Sequence, residues 1–507
     1  MSGHGYGLKR AAAGIALVLA AAGTVAGTAL AAPAAPAAKA SGVSAPRAPA
    51  LPKSGIWTAV SPGMNVESPA PALWVSPNGV GYDVFARQVG PSNFTYEAVR
   101  LSLLGSVASG PTDIFAIHWG SLQFGPAILG DGAVPVLVFS GLRGTTGPYS
   151  RGCVYGAVGG AGKWTVQPWS LSSDCLNPQP AAAENANSGK VLAAAWNGGW
   201  VGGTGVNYRI GVSPVIPAPP PDKHILVTKA TALPTGMAND INGNGHFFVA
   251  WNQVFSVPGG RDGVYVQDVT AGGPVRKAPN TGTNTVSNDF PVFSRLAMTN
   301  ANFHGGVFLA YCANVSPCRL LLWRVGAAKA VPVPSSADAF GVSIAQGPQG
   351  RIWVAWTNHA SNRVFVTRTN KADTRFGVVR SYATPCFEDG LLGLGGTPLS
   401  RLDIGMSCVN TAKLQEEQYV TQVRAGLSLS FPSPVHVPSA GLNIQITVTD
   451  AGDPVIGATV KVDGKTATTN GAGHATIHLP GGIKTGKYGV TATAPNYLGA
   501  AGTLTVK

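Results

Sequence analysis

Between about residues 57 and 437, short apolar runs alternate with turns rich in Gly, Asn and Pro, and the unit repeats. The clearest copies are MANDINGNGHFFVAW at 237–251 and VSIAQGPQGRIWVAW at 342–356. Each reads as an apolar strand, a tight turn, and a second strand that ends on an aromatic residue. Looser copies end at Phe85, Phe139, Trp196, Tyr311 and Cys408, and a third strand follows most of them, as in GVYVQDV, CRLLLWRV, NRVFVTRTN and EQYVTQV. Successive aromatic ends lie about 45–60 residues apart, the period of a four-stranded propeller blade. Runs such as FFVAW and IWVAW, apolar on both faces, are expected where each sheet is covered by neighbours on both sides. The pattern predicts an all-β chain whose main body is a six- or seven-bladed β-propeller.

Past Ser439 the texture changes. LNIQITV alternates strictly, placing Leu442, Ile444, Ile446 and Val448 on one face of a strand. A small C-terminal Ig-like β-sandwich is expected over 438–507, and with its own alternating strands a chain ending near Pro438 is expected to fold without it. The N-terminus reads differently again. Lys9 and Arg10, the apolar stretch from Ala11 to Ala22 and the Ala29-Leu30-Ala31 site have the three parts of a secretory signal. Residues 1–31 are therefore read as a signal peptide, 32–56 as an Ala/Pro-rich linker and 57–437 as the propeller. No second apolar run is long enough to span a bilayer, and the protein is expected to be secreted.

Composition agrees with many short strands and tight turns: Gly 67, Pro 39 and 11% charged residues. The formal charge is +13, or +11 once Lys9 and Arg10 leave with the signal. Lys and Arg are scattered singly, which argues against nucleic acid and leaves acidic cell-wall polymer as a partner for such a surface. The cysteine count is 6, in near-neighbour pairs, so local disulfides are expected at Cys153–Cys175, Cys312–Cys318 and Cys386–Cys408. C-x-x-C knuckles are absent, and no metal site is expected.

On these repeats the region 57–437 resembles the sialidase-like propellers, through the pattern Gly-x-apolar-Val-Ala-Trp followed by Val-x-Val. The resemblance implies a propeller fold. That family's Asp-box and its Phe-Arg-Ile-Pro segment do not occur here, so no catalytic residue carries over. The C-terminal stretch resembles the carboxypeptidase-regulatory-like and bacterial Ig-like modules in Asp450–Val460 (with Asp453 inserted), in the turn from Thr469 to Ala475, and in Gly486 to Ala492. That likeness implies a seven-stranded sandwich used as a spacer or surface module.

Candidate chemistry is sparse. Asp240–Gly245 opens like a calcium loop, but Trp251 stands where a bidentate Glu is needed. His474 and His478 share a strand face about 13 Å apart, too far for one metal. His118 beside Trp119 reads as a core or rim residue. No nucleophile elbow, H-E-x-x-H, P-loop or dinucleotide fingerprint is present, and no cofactor is expected. One pattern stands out among only 22 acids: Glu67, Asp289, Asp338 and the pair Glu388-Asp389 fall just before first strands. First strands line a propeller's axis, so Glu67, Asp289, Asp338 and Asp389 are expected near one mouth of the channel, binding a cation or sugar hydroxyls or performing acid/base work. Three functions stay open: a secreted non-catalytic binding protein directed to carbohydrate or cell wall, a glycoside hydrolase or lyase acting on polysaccharide, and a structural surface protein.

Overall fold

The computed structural model describes residues 53–507 except 132–133, 144–152, 161–162, 167–179, 185–191, 199–208, 215–222, 227–231, 234–236, 242–245, 256–262, 269–272, 282–295, 301–305, 316–317, 359–360, 397–399, 411–412 and 414. The proposed signal and residues 32–52 of the proposed linker lie outside the described residues, and among the described residues no helix is long and apolar enough to cross a membrane. Apart from a three-residue 3-10 turn at Pro348–Gly350, the described elements are strands.

The repeats become antiparallel meanders. Sheet A contains Asn65–Val75, Gly81–Gly90, Asn93–Leu101 and Val107–Asp113. Sheet B follows with Ser121–Asp131, Val134–Leu142, Cys153–Gly160 and Lys163–Val166, and sheet C with Pro180–Glu184, Leu192–Gly198, Arg209–Pro214 and Lys223–Leu226. Sheet D is built on Met237–Ile241, Phe247–Phe255, Gly263–Asp268 and Arg276–Lys277, and sheet E on Leu296–Asn300, Val307–Val315, Cys318–Arg324 and Val331–Pro332. Sheet F has Ala339–Gln346, Ile352–Asn358, Arg363–Arg368 and Arg380–Ala383, and sheet G has Phe387–Gly396, Arg401–Asn410 and Gln415–Arg424. The first strands touch in chain order from A to G, and that of G returns to that of A, which closes a ring. This is a β-propeller. Thr58–Ala59 supplies the outer strand of sheet G by pairing with Val420 and Tyr419, so residues from the start of the domain complete its last sheet.

The aromatic ends predicted from sequence fill the spaces between sheets. Phe85, Phe139, Trp251, Tyr311 and Trp356 are all buried. Trp251 stacks on its cross-strand partner Tyr265, and Trp356 on Phe365. Full burial of each such side chain contributes roughly 1.5–3 kcal/mol from area alone, so these positions repeat because each gap between sheets needs one. At the axis, bulk is excluded instead. A Cβ on Gly396 would meet the Gln346 carbonyl at 1.6 Å, and one on Gly393 would meet the Pro71 carbonyl at 2.8 Å. Glycine lets the first strands approach this closely.

The C-terminal residues form two further sheets, Ser428–Ser430, Leu442–Asp450, Asp453–Pro454 and His474–Leu479 in one, and Thr459–Val462, Lys465–Thr468, Gly486–Thr493 and Ala500–Val506 in the other. They share one core, including Ile444, Ile446, Val448, Val460, Val490 and Leu504. Leu427 and Val435 belong to the same core, so it begins N-terminal to residue 438.

Candidate functional site

In an antiparallel meander, the starts of the first and third strands and the ends of the second and fourth share one side. That side of the ring is the entry face, and the other is the far face. The C-terminal unit packs on the far face. Arg368, at the end of the third strand of sheet F, gives Asp450 two hydrogen bonds, 3.1 Å from Nε and 2.5 Å from Nη2. Arg351, just before the second strand of F, reaches Asp453 at 2.5 Å. The guanidinium of Arg368 also lies over Trp353 and Tyr497, 5.0 and 5.3 Å from the ring centroids. Buried charges tolerate such a place only when paired and hydrogen-bonded.

The entry face carries the acids singled out in the sequence, in a changed setting. Asp338 directly precedes the first strand of F, as expected. Glu67 and Asp389 do not precede their strands: each is the third residue of one, at an irregularity in the ladder. The register slips between Glu67 and Ala72 and between Phe387 and Leu391. Sheets B and F slip in the same way, between Gln123 and Ala127 and between Ala339 and Val342. The skipped residues explain the bulges. Pro69, Pro71 and Pro126 lack the N–H a ladder requires, and Gly125, Gly341 and Gly390 permit the bend. Val66 then pairs with Glu416 of sheet G, which sets Glu67 at the seam between A and G. Glu67, Asp338 and Asp389 thus lie on the entry face of three consecutive sheets, F, G and A; Asp289 lies outside the described residues.

Asp338 is the most sharply defined of the four. It is exposed and takes φ +58°, and Ser335 in the same turn takes φ +57°. The left-handed region costs a non-glycine residue about 1 kcal/mol or more, and such strain persists only where its surroundings enforce it. Ser336, buried, accepts from the Leu320 amide at 3.0 Å and donates to the Val333 carbonyl at 2.7 Å. Asn358 donates to the Ala337 carbonyl at 3.1 Å, and the Gly341 amide donates to Thr357 at 3.0 Å. The turn is fixed from both sides while its carboxylate faces solvent. Asp389 is fixed differently, by the Cys386–Cys408 disulfide that ties the start of its strand to the next one. The second described disulfide, Cys312–Cys318, clips the entry-face hairpin of sheet E. Cys175 lies outside the described residues, so the pairing with Cys153 does too.

Several polar groups on this face escaped the sequence reading. In sheet A, Arg87 pairs with buried Glu97 at 2.7 Å, and directly across the ladder from Glu97 stands Asp113. Asp113 holds His118 Nε2 at 2.8 Å and accepts from Thr95. His118 is therefore an exposed rim residue with an acidic partner. Burial raises the Glu97 carboxyl above its usual range despite Arg87, and the neighbouring Asp113 adds to the effect. In sheet G, Glu417 accepts from Lys413 at 2.6 Å, from Asn410 at 3.1 Å, and from Tyr419. Those hydrogen bonds, Lys413 first, bring it down to about 2, while burial and Glu417 together push Tyr419 up to about 12. For Glu97 the signal available in sequence was a single acid between apolar neighbours, Tyr96 and Ala98, inside the strand NFTYEAVRL.

The remaining motifs resolve quietly. His474 Nδ1 pairs with Thr447 at 3.0 Å and His478 Nδ1 with Asn443 at 2.9 Å, each in its own cross-strand pair. Asp240 sits in the strand Met237–Ile241, and most of its loop lies outside the described residues. Among the described residues no three His, Cys, Asp or Glu are grouped to hold a metal.

No family model and no curated protein matches the sequence. Among solved structures, the chain is similar to the polysaccharide lyase Uly1 (TM-score 0.44, 10% identity, 71% of this chain and 90% of that one). It is also similar to the SapL1 lectin in complex with alpha methyl fucoside (0.39, 14%, 63% and 98%) and to a Trypanosoma rangeli sialidase in complex with 2,3-difluorosialic acid (0.37, 10%, 80% and 85%). The closed ring of sheets, rather than these likenesses, carries the propeller assignment.

Proposed function

We propose that this is an exported seven-bladed propeller with a C-terminal sandwich of the Ig-like, carboxypeptidase-regulatory-like kind, and that it binds carbohydrate at the entry face of sheets F, G and A without catalysis. The observation that carries this reading is Asp338: an exposed carboxylate on a strained, doubly pinned turn, with no ion pair among the described residues. A residue that merely capped its own turn would spend its oxygens on backbone amides, and Asp338 does not. Asp389 and Glu67 extend the same arc. Carboxylates suit sugar hydroxyls, which donate to them, and repel a polyanion. A neutral glycan therefore fits this face better than the acidic polymer suggested by net charge. The C-terminal unit occupies the far face and leaves this one open.

A second reading, hydrolysis or lysis of polysaccharide, draws on Glu97 and Glu417. They lie on the entry face of adjoining sheets with carboxyl groups shifted in opposite directions, the arrangement that separates an acid from a base. One screen separates the readings: a panel of neutral polysaccharides assayed both for binding and for release of reducing or unsaturated ends. Binding without product supports the lectin-like reading. Product release that disappears in Glu97→Gln replaces it with the enzymatic one.

A further inference from the structure

Beneath the propeller, where sheet F, the end of sheet G and the C-terminal unit meet, lies a cavity of about 10 Å³, room for one small occupant. Arg368, Arg380 and Arg424 contribute three guanidinium groups to its wall, against one carboxylate from Asp450. Asp450 is already engaged by Arg368, with Arg351 Nε a further 3.5 Å away. Arg368 and Asp450 are each 1% exposed. Within this lining three buried donors, Arg368 Nη1, Arg380 Nε and Trp353 Nε1, have no hydrogen-bond partner among the described residues, against a single buried acceptor, Asp450 Oδ1. Arg380 and Arg424 are half-buried, so the wall carries more positive than negative charge at partial depth. Unpaired buried donors and such a charge imbalance both raise the free energy, and both are relieved by an acceptor that carries negative charge.

We propose that this cavity is a binding site for one monatomic anion of halide size. It accepts from Arg368 Nη1 and Arg380 Nε, both of sheet F, at the place where that sheet meets the C-terminal unit. The chemistry is hydrogen bonding to guanidinium nitrogens with no bond made or broken, and Asp450 Oδ1 in the same wall keeps the affinity modest. The site stands apart from the entry face and does not depend on what binds there.

Thermal melting in sodium chloride or bromide, against sodium gluconate at equal ionic strength, reads the proposal directly. Gluconate screens charge equally but is too large to enter. The expected halide-specific rise is roughly 2–4 °C at concentrations well above the dissociation constant. Two variants localise it. In Gly377→Ala the new methyl would stand 3.4 Å from Asp450 Oδ1 and from the Ala451 nitrogen, in ordinary contact, filling the cavity with every charge intact. Arg380→Gln removes one donor and one charge. Both are expected to melt alike in halide and gluconate, and a bromide-soaked crystal of the wild type should give an anomalous peak between Arg368 and Arg380. Equal melting of the wild type in the two salts, or a halide effect that survives in both variants, overturns the proposal. A water at that position in the bromide crystal does so as well.

Discussion

Gln418, on the third strand of sheet G, donates a 2.8 Å hydrogen bond to the carboxylate of Asp83, on the second strand of sheet A. The bond crosses the seam where the ring closes. Asp83 is fully buried, its Oδ1 has no partner among the described residues, and a Cβ on Gly405 would lie 2.0 Å from that oxygen. The same seam is held by Arg401, which pairs with buried Asp403 and donates to the Gly79 and Ser102 carbonyls of sheet A.

Burial pushes the Asp83 carboxyl up to about 7, against which the Gln418 bond works only in part. Between its ordinary value of 3.8 and about 7 the folded protein holds the proton more often than the unfolded chain. Stability from this group is thus complete below pH 4 and lost as pH rises through 7. The whole shift corresponds to about 4 kcal/mol. Asp83→Asn should unfold later than the wild type in urea at pH 8, with the difference closing by pH 4. A gap of equal size at both pH values would contradict this.

Glu417 has the opposite sign. Its carboxyl is held down near 2, so its contribution is present above pH 4.5 and disappears as pH falls through 2. Lys413, its main partner, is largely exposed, which limits the effect to about 1 kcal/mol. Glu417→Gln should lose that amount at pH 7 by denaturant titration and match the wild type near pH 2.

Replacing Cys386 and Cys408 together by Ala should cost about 3 kcal/mol, from the loop of 22 residues they close. It should also weaken any ligand held at Asp389, since the bridge fixes the start of that strand. Peptide mapping without reduction should recover Cys312 joined to Cys318 and Cys386 to Cys408.

The alternating pattern of LNIQITV located the C-terminal strands but not where their core begins, because Leu427 and Val435 sit in short stretches with no period of their own. A chain ending near 438, expected from sequence to fold independently, keeps those two residues and deletes their partners. It also unpairs Arg351 and Arg368. Such a truncation should melt several degrees lower than the full chain, and a chain ending at Ala425 should retain only the penalty of unpairing Arg351 and Arg368. Unchanged melting of both would show that the contact adds nothing.

What could be read in the sequence followed from periodicity. Strand, turn and aromatic recur because each inter-sheet gap at Phe85, Phe139, Tyr311 or Trp356 presents the same packing problem. The acids were found as a pattern, yet their setting was not. Proline and glycine at 69, 71 and 390 bulge the first strands, and this moves Glu67 and Asp389 inside the strands rather than before them. Glu97 and Glu417 were missed because their importance comes from partners in space, Arg87 and Asp113 for one, Lys413 and Asn410 for the other. The far-face arginines were missed for the same reason: Arg368 and Asp450 are 82 positions apart.

The most direct measurement is a calorimetric titration of the tightest-binding neutral glycan from the panel into the wild type, into Asp338→Asn/Asp389→Asn, and into Lys371→Ala on the far face as a control. The double variant keeps side-chain size and should fold normally. Its affinity is predicted to fall by more than tenfold, while the Lys371→Ala control binds like the wild type. Undiminished binding by the double variant, or a loss confined to the Lys371→Ala control, would place the ligand elsewhere and contradict the entry-face account.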